Sequence, residues 1–305
     1  MFNSGIKVRP GPDGIHLFDR NSGTNLLIEE IAPVDSMWAK APRQVSIALT
    51  NTCDLACKYC YAPKTRAILD YDRIVSWLHE LDSNGTIGVG FGGGEPTLYP
   101  RFAEICSYAC RNTGLAVTFT THGHHLDATL LTALKGNVHF VRLSMDGIGS
   151  TYERLRGRSF HSFSQRVQAI KTITPFGINY VVNSDTLPDI DAAAIFAEKS
   201  GASEFLLLPE QPTNGCAGIT ESTSRGLQQW VEHYSGRMRL AVSEIGADGL
   251  PTCNPFVNEV GLHAYMHIDA NGVLKPNSYA ERGVPIGPTG VLSALADLRQ
   301  NQTRL

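Results

Sequence analysis

The chain has 305 residues, enough for one large α/β domain or two ordinary ones, and ample for a full hydrophobic core. It is 42% hydrophobic and 18% charged, with 26 basic against 29 acidic residues and a net charge of −3, so no strong basic field points to a nucleic acid. The opening MFNSGIKVRPGPDGIHLFDR lacks the apolar centre of a secretory signal, and no run of about 18 apolar residues suggests a membrane span, so a cytoplasmic protein with no membrane partner is expected.

The first predicted unit is a hairpin. Residues 15–30, IHLFDRNSGTNLLIEE, set two apolar runs around Asn21-Ser22-Gly23. A loop with Pro33 and Pro42 follows, so residues 1–43 read as a hairpin and lead-in. From residue 44 a rhythm begins. Strands are expected at 45–50, 86–93, 115–121, 139–145, 178–182 and 204–209. Helices are expected between and after them, at 71–83, 99–112, 127–135, 162–173, 189–200 and 222–235. In the first of these, Ile74, Trp77, Leu78 and Leu81 share a face. Apolar strands alternating with amphipathic helices imply a parallel sheet with helices outside it, either an open doubly wound sheet or a partial barrel. In both, functional groups belong at the C-terminal ends of the strands. Residues 44–237 form this body. The pattern then changes. Strands are expected at 238–245 and 263–274, the latter turning on Asp269-Ala270-Asn271-Gly272, with a helix near 290–300. Residues 238–305 therefore read as a small α+β appendage. The sequence shows no internal repeat and no heptad pattern.

Cys53, Cys57 and Cys60 follow the first strand of the series, in CDLACKYC. Cytosolic thiols stay reduced, so clustered cysteines favour metal binding or catalysis over disulfides, and the odd total of seven does not suit a fully paired framework. The spacing is too tight for two separated zinc pairs. Three thiolates on one loop can instead hold three irons of a cubic [4Fe–4S] cluster and leave the fourth free for a small molecule. Buried structural cysteines without metal are the alternative. The polar loop around Lys58-Tyr59, at the mouth of the sheet, is a poor place for inert thiols.

On these residues the sequence resembles the radical S-adenosylmethionine (SAM) enzymes, over roughly residues 44–210. That family carries its cysteine loop after the first strand of a partial (β/α)6 barrel, often with an aromatic residue before the third cysteine, the place of Tyr59 here. The resemblance implies an α/β fold: a partial (β/α)6 barrel with an N-terminal hairpin and a small C-terminal α+β extension. Gly93, Gly94 and Glu95 match the family's Gly-Gly-Glu motif, which binds the methionine amino group of the cofactor. Glycines let the backbone approach closely, and a carboxylate accepts from an ammonium. Ser144 and Asp146, in RLSMDG, match a Ser-x-Asp-Gly pattern of members that act on peptides and related substrates. Arg156, in RLRGR, stands where many members place an arginine near the cofactor carboxylate, with Arg154 and Arg158 as rivals. Asn183 is expected at the ribose, and Leu208 with Pro209 near the adenine. One position departs from the pattern. His122, in TTHGHH, stands where many relatives have asparagine. Adjacent histidines point different ways on a strand, so His122, His124 and His125 make a poor chelator. One of them is expected to contact substrate or cofactor, and the others to face solvent.

The tail also has a counterpart. Peptide-modifying relatives often end in a cysteine-rich SPASM or twitch extension, and residues 261–287 resemble its backbone. Where Asn277 stands, those relatives typically have a cysteine, and only Cys216 and Cys253 remain in the region. A degenerate extension without a second cluster is expected. Cys216, just beyond the sixth strand, is a candidate hydrogen donor to a substrate radical, an incidental thiol being the alternative. Cys106 and Cys110, at i and i+4, read as core packing.

The resemblance implies one [4Fe–4S] cluster and SAM as cofactors. It implies reductive cleavage of SAM to a 5′-deoxyadenosyl radical, then hydrogen abstraction from a substrate. A peptide or amino-acid residue is the favoured substrate, on Ser144, Asp146 and the tail. A small metabolite such as a sugar or nucleoside is the runner-up. A non-enzymatic iron–sulfur or zinc-binding module is the alternative outside the class. The other expected partner is an electron donor such as a flavodoxin or ferredoxin.

Overall fold

The computed structural model describes residues 5–213 and 215–302. Three short strands come first: β1 (Ile6–Gly11), β2 (Gly14–Asp19) and β3 (Thr24–Ile28). They form an antiparallel sheet in the order β1-β2-β3. The expected hairpin is β2-β3. β1 joins it as a third strand that the sequence hid, because its Ile6 and Val8 are exposed and give no burial pattern.

The body runs β4 (Gln44–Thr50), α1 (Tyr71–Ser83), β5 (Gly88–Gly93), α2 (Phe102–Asn112), β6 (Ala116–Thr121), α3 (Ala128–Leu134), β7 (Phe140–Ser144), α4 (Ser150–Arg156), α5 (Phe160–Ile170), β8 (Phe176–Val182), α6 (Ile190–Ser200), β9 (Glu204–Pro209) and α7 (Glu221–His233). Strands β4 to β9 lie side by side in sequence order, all parallel. Right-handed crossovers in one direction put every helix on the same face, so the sheet curls around its other face. β4 and β9 do not pair with each other, which leaves the barrel open. The partial barrel, rather than the doubly wound sheet, is what forms. Alternate residues such as Ile47, Phe91, Phe119, Val141 and Ile178 are fully buried against the helices. Their neighbours Ser46, Gly90, Thr118, Arg142 and Asn179 are half-buried and line the concave face.

The expected helix 162–173 is α5, and a second helix that the sequence reading did not expect stands before it. This helix, α4, stops at Gly157, which takes a left-handed φ of 63°. The C-terminal residues supply β10 (Arg239–Val242), β11 (Tyr265–Ile268), β12 (Val273–Lys275), β13 (Val284–Pro285) and α8 (Val291–Gln302). β10 adds to the barrel sheet beside β9, in parallel. β11 adds to the other edge, parallel to β4, and continues through the turn at residues 269–272 into antiparallel β12 and β13. Among the described residues, no helix is long and apolar enough to cross a membrane.

The N-terminal sheet docks at the end of the barrel where strands begin. Arg20 donates to the carbonyls of Thr113 (2.7 Å) and Leu115 (3.1 Å), just before β6. Arg9, 2% exposed, donates to the carbonyls of Gly85 (2.8 Å), Ala41 (2.9 Å) and His263 (3.2 Å), and pairs with buried Glu259 at 3.2 Å. Arg9→Ala leaves buried Glu259 to the longer 3.6 Å approach of Arg43 and removes four hydrogen bonds. It should cost about 3–5 kcal/mol, read as a lower urea midpoint.

Candidate active site

The cysteine loop leaves β4 at Thr50 and returns at Ile68, where the two residues bridge in antiparallel fashion. Asn51 N donates to Ala67 O (3.0 Å) and Leu69 N to Leu49 O (2.9 Å), so the loop is closed at its neck. Within it, Cys60 N donates to Cys57 O at 3.2 Å, and Leu55 N donates to Cys53 Sγ at 3.4 Å. Cys53, Cys57 and Cys60 are free and half-buried. Burial raises the Cys53 and Cys57 thiols above their ordinary pKa; the Leu55 amide lowers the first and Arg156 the second, without cancelling it. Lys58, Lys64 and Arg66 are exposed on the outside of the same loop.

Residues 93–95 are spliced onto the neck of this loop. Gly94 N donates to Thr50 O (2.7 Å) and Glu95 N to Thr52 O (2.8 Å). Gly93 has φ 128°, and a methyl group there would strike the Thr50 carbonyl. One on Gly94 would lie 2.5 Å from Asn51 O. Only glycine permits this approach at either position.

Glu95 is buried and heavily bonded. Its Oε1 accepts from the hydroxyls of Thr97 and Thr121, both at 2.6 Å, and from Thr97 N at 3.2 Å. Its Oε2 accepts from His122 N at 3.0 Å. His122, 4% exposed, turns its ring back toward the loop. Nε2 lies 2.9 Å from Asp54 Oδ1 and 3.3 Å from Glu95 Oε2. Burial lowers the His122 pKa, against the opposing pull of Glu95 and Asp54. Asp54 also meets Arg158 (2.8 Å) and His125 (3.2 Å). Despite burial, these partners hold its carboxyl well below the usual range. The three histidines therefore do not divide into one contact and two solvated rings. His124 is half-buried on the Tyr152 hydroxyl at 3.0 Å, its pKa lowered to about 4 by burial and then by His122, and His125 pairs with Asp54. Nor does poor chelation among adjacent histidines describe the whole neighbourhood: ligand atoms of Cys53, Asp54 and His122 lie within 4.8 Å of one another.

A second buried unit joins the loop from the other side. Asp146, 0% exposed, accepts from Val181 N at 3.0 Å and from the Tyr59 hydroxyl at 2.5 Å, and ion-pairs with Arg156. Arg156, the last residue of α4, also donates to Cys57 Sγ at 3.7 Å. Burial pulls the Arg156 pKa down, but Asp146, Tyr59 and Cys57 together push it above its ordinary value. Ser144 sits on the concave face in register with Asn179, whose buried Oδ1 has no partner among the described residues. Asn183 spends its side chain locally: Oδ1 accepts from Asp185 N (3.0 Å) and Thr186 N (3.1 Å), and Nδ2 donates to Glu210 at 3.1 Å. Leu208 is half-buried near the end of β9.

Beyond β9, Thr213 and Cys216 bridge across a tight turn, with Thr213 Oγ1 and Cys216 Sγ 3.3 Å apart. A methyl group on Gly215 would lie 2.5 Å from Lys58 O, so this turn packs on the cysteine loop. Asn277 forms a turn of its own, its Oδ1 accepting from Tyr279 N and Ala280 N at 2.9 Å each. Cys253 is exposed. The residues reasoning from sequence missed are Asp54, Thr97, Thr121 and a cluster from the tail. In that cluster, Ser46 Oγ lies 2.6 Å from both Tyr265 OH and His267 Nδ1, with the Tyr61 ring edge-on to His267. Burial lowers the His267 pKa to about 4. Neither Asp54, whose partners His122 and Arg158 come from distant segments, nor the tail cluster gives a local signal in the sequence.

The donor set suits an iron–sulfur cluster: three thiols on one closed loop, with an amide and a guanidinium aimed at two of the sulfurs. The chain carries a radical SAM domain: residues 47–195 match the Radical SAM superfamily, whose members are enzymes that bind a [4Fe–4S] cluster and SAM. Among curated proteins it is similar to the Fe-coproporphyrin III synthase of Methanosarcina barkeri, at 28% identity over 47% of this chain and 38% of that protein. It is also similar to the mycofactocin maturase MftC of Mycobacterium tuberculosis, at 28% identity over 53% of this chain and 44% of that one. The matched stretch thus spans less than half the length of these two relatives. Among solved structures, Streptococcus suis SuiB bound to its precursor peptide SuiA has the same fold. The TM-score is 0.69 at 14% identity, over 92% of this chain and 84% of SuiB.

Proposed function

We propose that the protein reductively cleaves SAM and uses the resulting radical to abstract hydrogen from a peptide or amino-acid residue. The observation that carries this reading is the splice between the cysteine loop and residues 93–95, which sets three thiols and a buried carboxylate at adjacent strand ends. Cys53, Cys57 and Cys60 would hold the [4Fe–4S] cluster. When bound, the cluster supplies the electron that breaks the sulfonium bond of SAM and frees a 5′-deoxyadenosyl radical. Glu95 takes the cofactor's amino group, and Gly93 and Gly94 let it approach the backbone. Arg156 has a direct role at the loop: its N–H toward Cys57 Sγ stabilises the thiolate as a ligand. Asp146 and Tyr59 hold Arg156 there. Ser144, Asn183 and Leu208 border the cofactor's nucleoside and the substrate, with Asn183 acting through the turn it caps. Cys216, on a turn packed against the cysteine loop, is the proposed hydrogen donor to the substrate radical.

The peptide substrate is supported by the names of MftC, a maturase, and of SuiB with its precursor peptide, and by Ser144 and Asp146. Residues 238–305 act as a SPASM/twitch-like extension without an auxiliary cluster, since Asn277 gives its side chain to a turn. The electron comes from a donor such as a flavodoxin or ferredoxin. Anaerobic reconstitution tests the whole reading. The chain should take up about four irons and, once reduced, convert SAM to 5′-deoxyadenosine. Zinc uptake with no cleavage overturns it.

A further inference from the structure

We propose that His122 is a positioning residue for Glu95, working through the position of its single ring proton. The inference rests on the radical SAM reading of Glu95 as the group that takes the cofactor's amino group. His124 N donates to His122 Nδ1 at 3.1 Å. That nitrogen must therefore present a lone pair, and the proton of the neutral ring sits on Nε2. Nε2–H then lies between two carboxylates, nearer Asp54 Oδ1 (2.9 Å) than Glu95 Oε2 (3.3 Å).

The bias toward Asp54 matters because Glu95 is almost fully subscribed. A carboxylate offers roughly four lone-pair sites. Two hydroxyls and an amide fill Oε1, and His122 N fills one site on Oε2. The remaining site on Oε2 is the one an incoming ammonium needs. Asp54 draws the His122 proton toward itself, so the ring stands beside Oε2 and holds the carboxylate in place while leaving that site open; without the ring the carboxylate turns away from the amine. Asp54 is in turn held by Arg158 and His125, so it does not drift. Asp54 also belongs to the cysteine loop, beside Cys53. One imidazole thus couples the loop that holds the cluster to the carboxylate that holds the amine. His122 is not expected to touch the cofactor, because its ring is buried and both ring nitrogens are engaged within the protein.

The test uses the reconstituted full chain and two ligands measured by equilibrium dialysis. One is SAM. The other is 5′-methylthioadenosine, which keeps the adenosine and the sulfur but has no amino-acid part. His122→Ala should weaken SAM binding about tenfold while leaving methylthioadenosine within about twofold. His122→Gln, whose amide nitrogen reaches about as far as Nε2, should recover most of that loss. Asp54→Ala should weaken SAM in the same selective way. Iron content should match the wild type in all three. Unchanged SAM affinity in His122→Ala, or equal losses for both ligands, overturns the proposal. Wild-type protein that takes up no iron overturns the underlying reading instead.

Discussion

Cys57→Ala should empty the site without unfolding the protein. Iron after anaerobic reconstitution should fall from about four per chain to a trace, and 5′-deoxyadenosine formation should vanish with it. The fold should hardly notice. Cys57 is half-buried, and its thiol meets the Arg156 guanidinium at 3.7 Å and the Tyr59 side chain, neither of them part of the apolar core. Stability of the metal-free chain should therefore stay within about 1 kcal/mol of the wild type. Full cleavage activity in this variant would show that the triad is misassigned. The contrast between lost iron and retained stability is what separates a ligand from a structural thiol.

Asp146→Ala should do the opposite, destabilising the chain even without metal. The side chain has no exposed surface, and its oxygens serve Val181 N, the Tyr59 hydroxyl and the Arg156 guanidinium. Removing it leaves a buried arginine uncompensated, an effect of about 3–5 kcal/mol. Asp146→Asn keeps an acceptor for Val181 N but not the charge, so most of the loss should remain. The measurement is urea denaturation of the metal-free chain, followed by circular dichroism. A midpoint unchanged in both variants would mean that Arg156 finds water when Asp146 is gone. Because Arg156 reaches the cysteine loop and Tyr59 belongs to it, both variants should also load iron poorly.

What the sequence revealed and concealed has a physical pattern. The strands β4 to β9 were legible because each is a short apolar run ahead of an amphipathic helix. The cysteine loop and residues 93–95 were legible because their chemistry lies within a few consecutive positions. Asp54 was not, because its meaning comes from His122 and Arg158, which reach it from the ends of β6 and α4. Parallel pairing of β11 with β4 joins residues more than two hundred positions apart, as in His267 with Ser46. A local pattern can mark each of them as strand, but it cannot say that they are neighbours. Asn183 stands at a strand end, where its side chain also caps the turn that follows, so position alone does not separate a cofactor contact from a turn residue.

The outside of the cysteine loop has a consequence for how electrons arrive. Lys58, Lys64 and Arg66 make it a small electropositive spot on a chain whose overall charge is −3. For the protein reductant proposed here, an acidic surface would be steered to the same loop that cradles the thiols, shortening the search for a productive encounter. Such guidance fades as added salt shrinks the reach of each charge, so reduction by that carrier would slow with ionic strength, while a small chemical reductant would be far less affected.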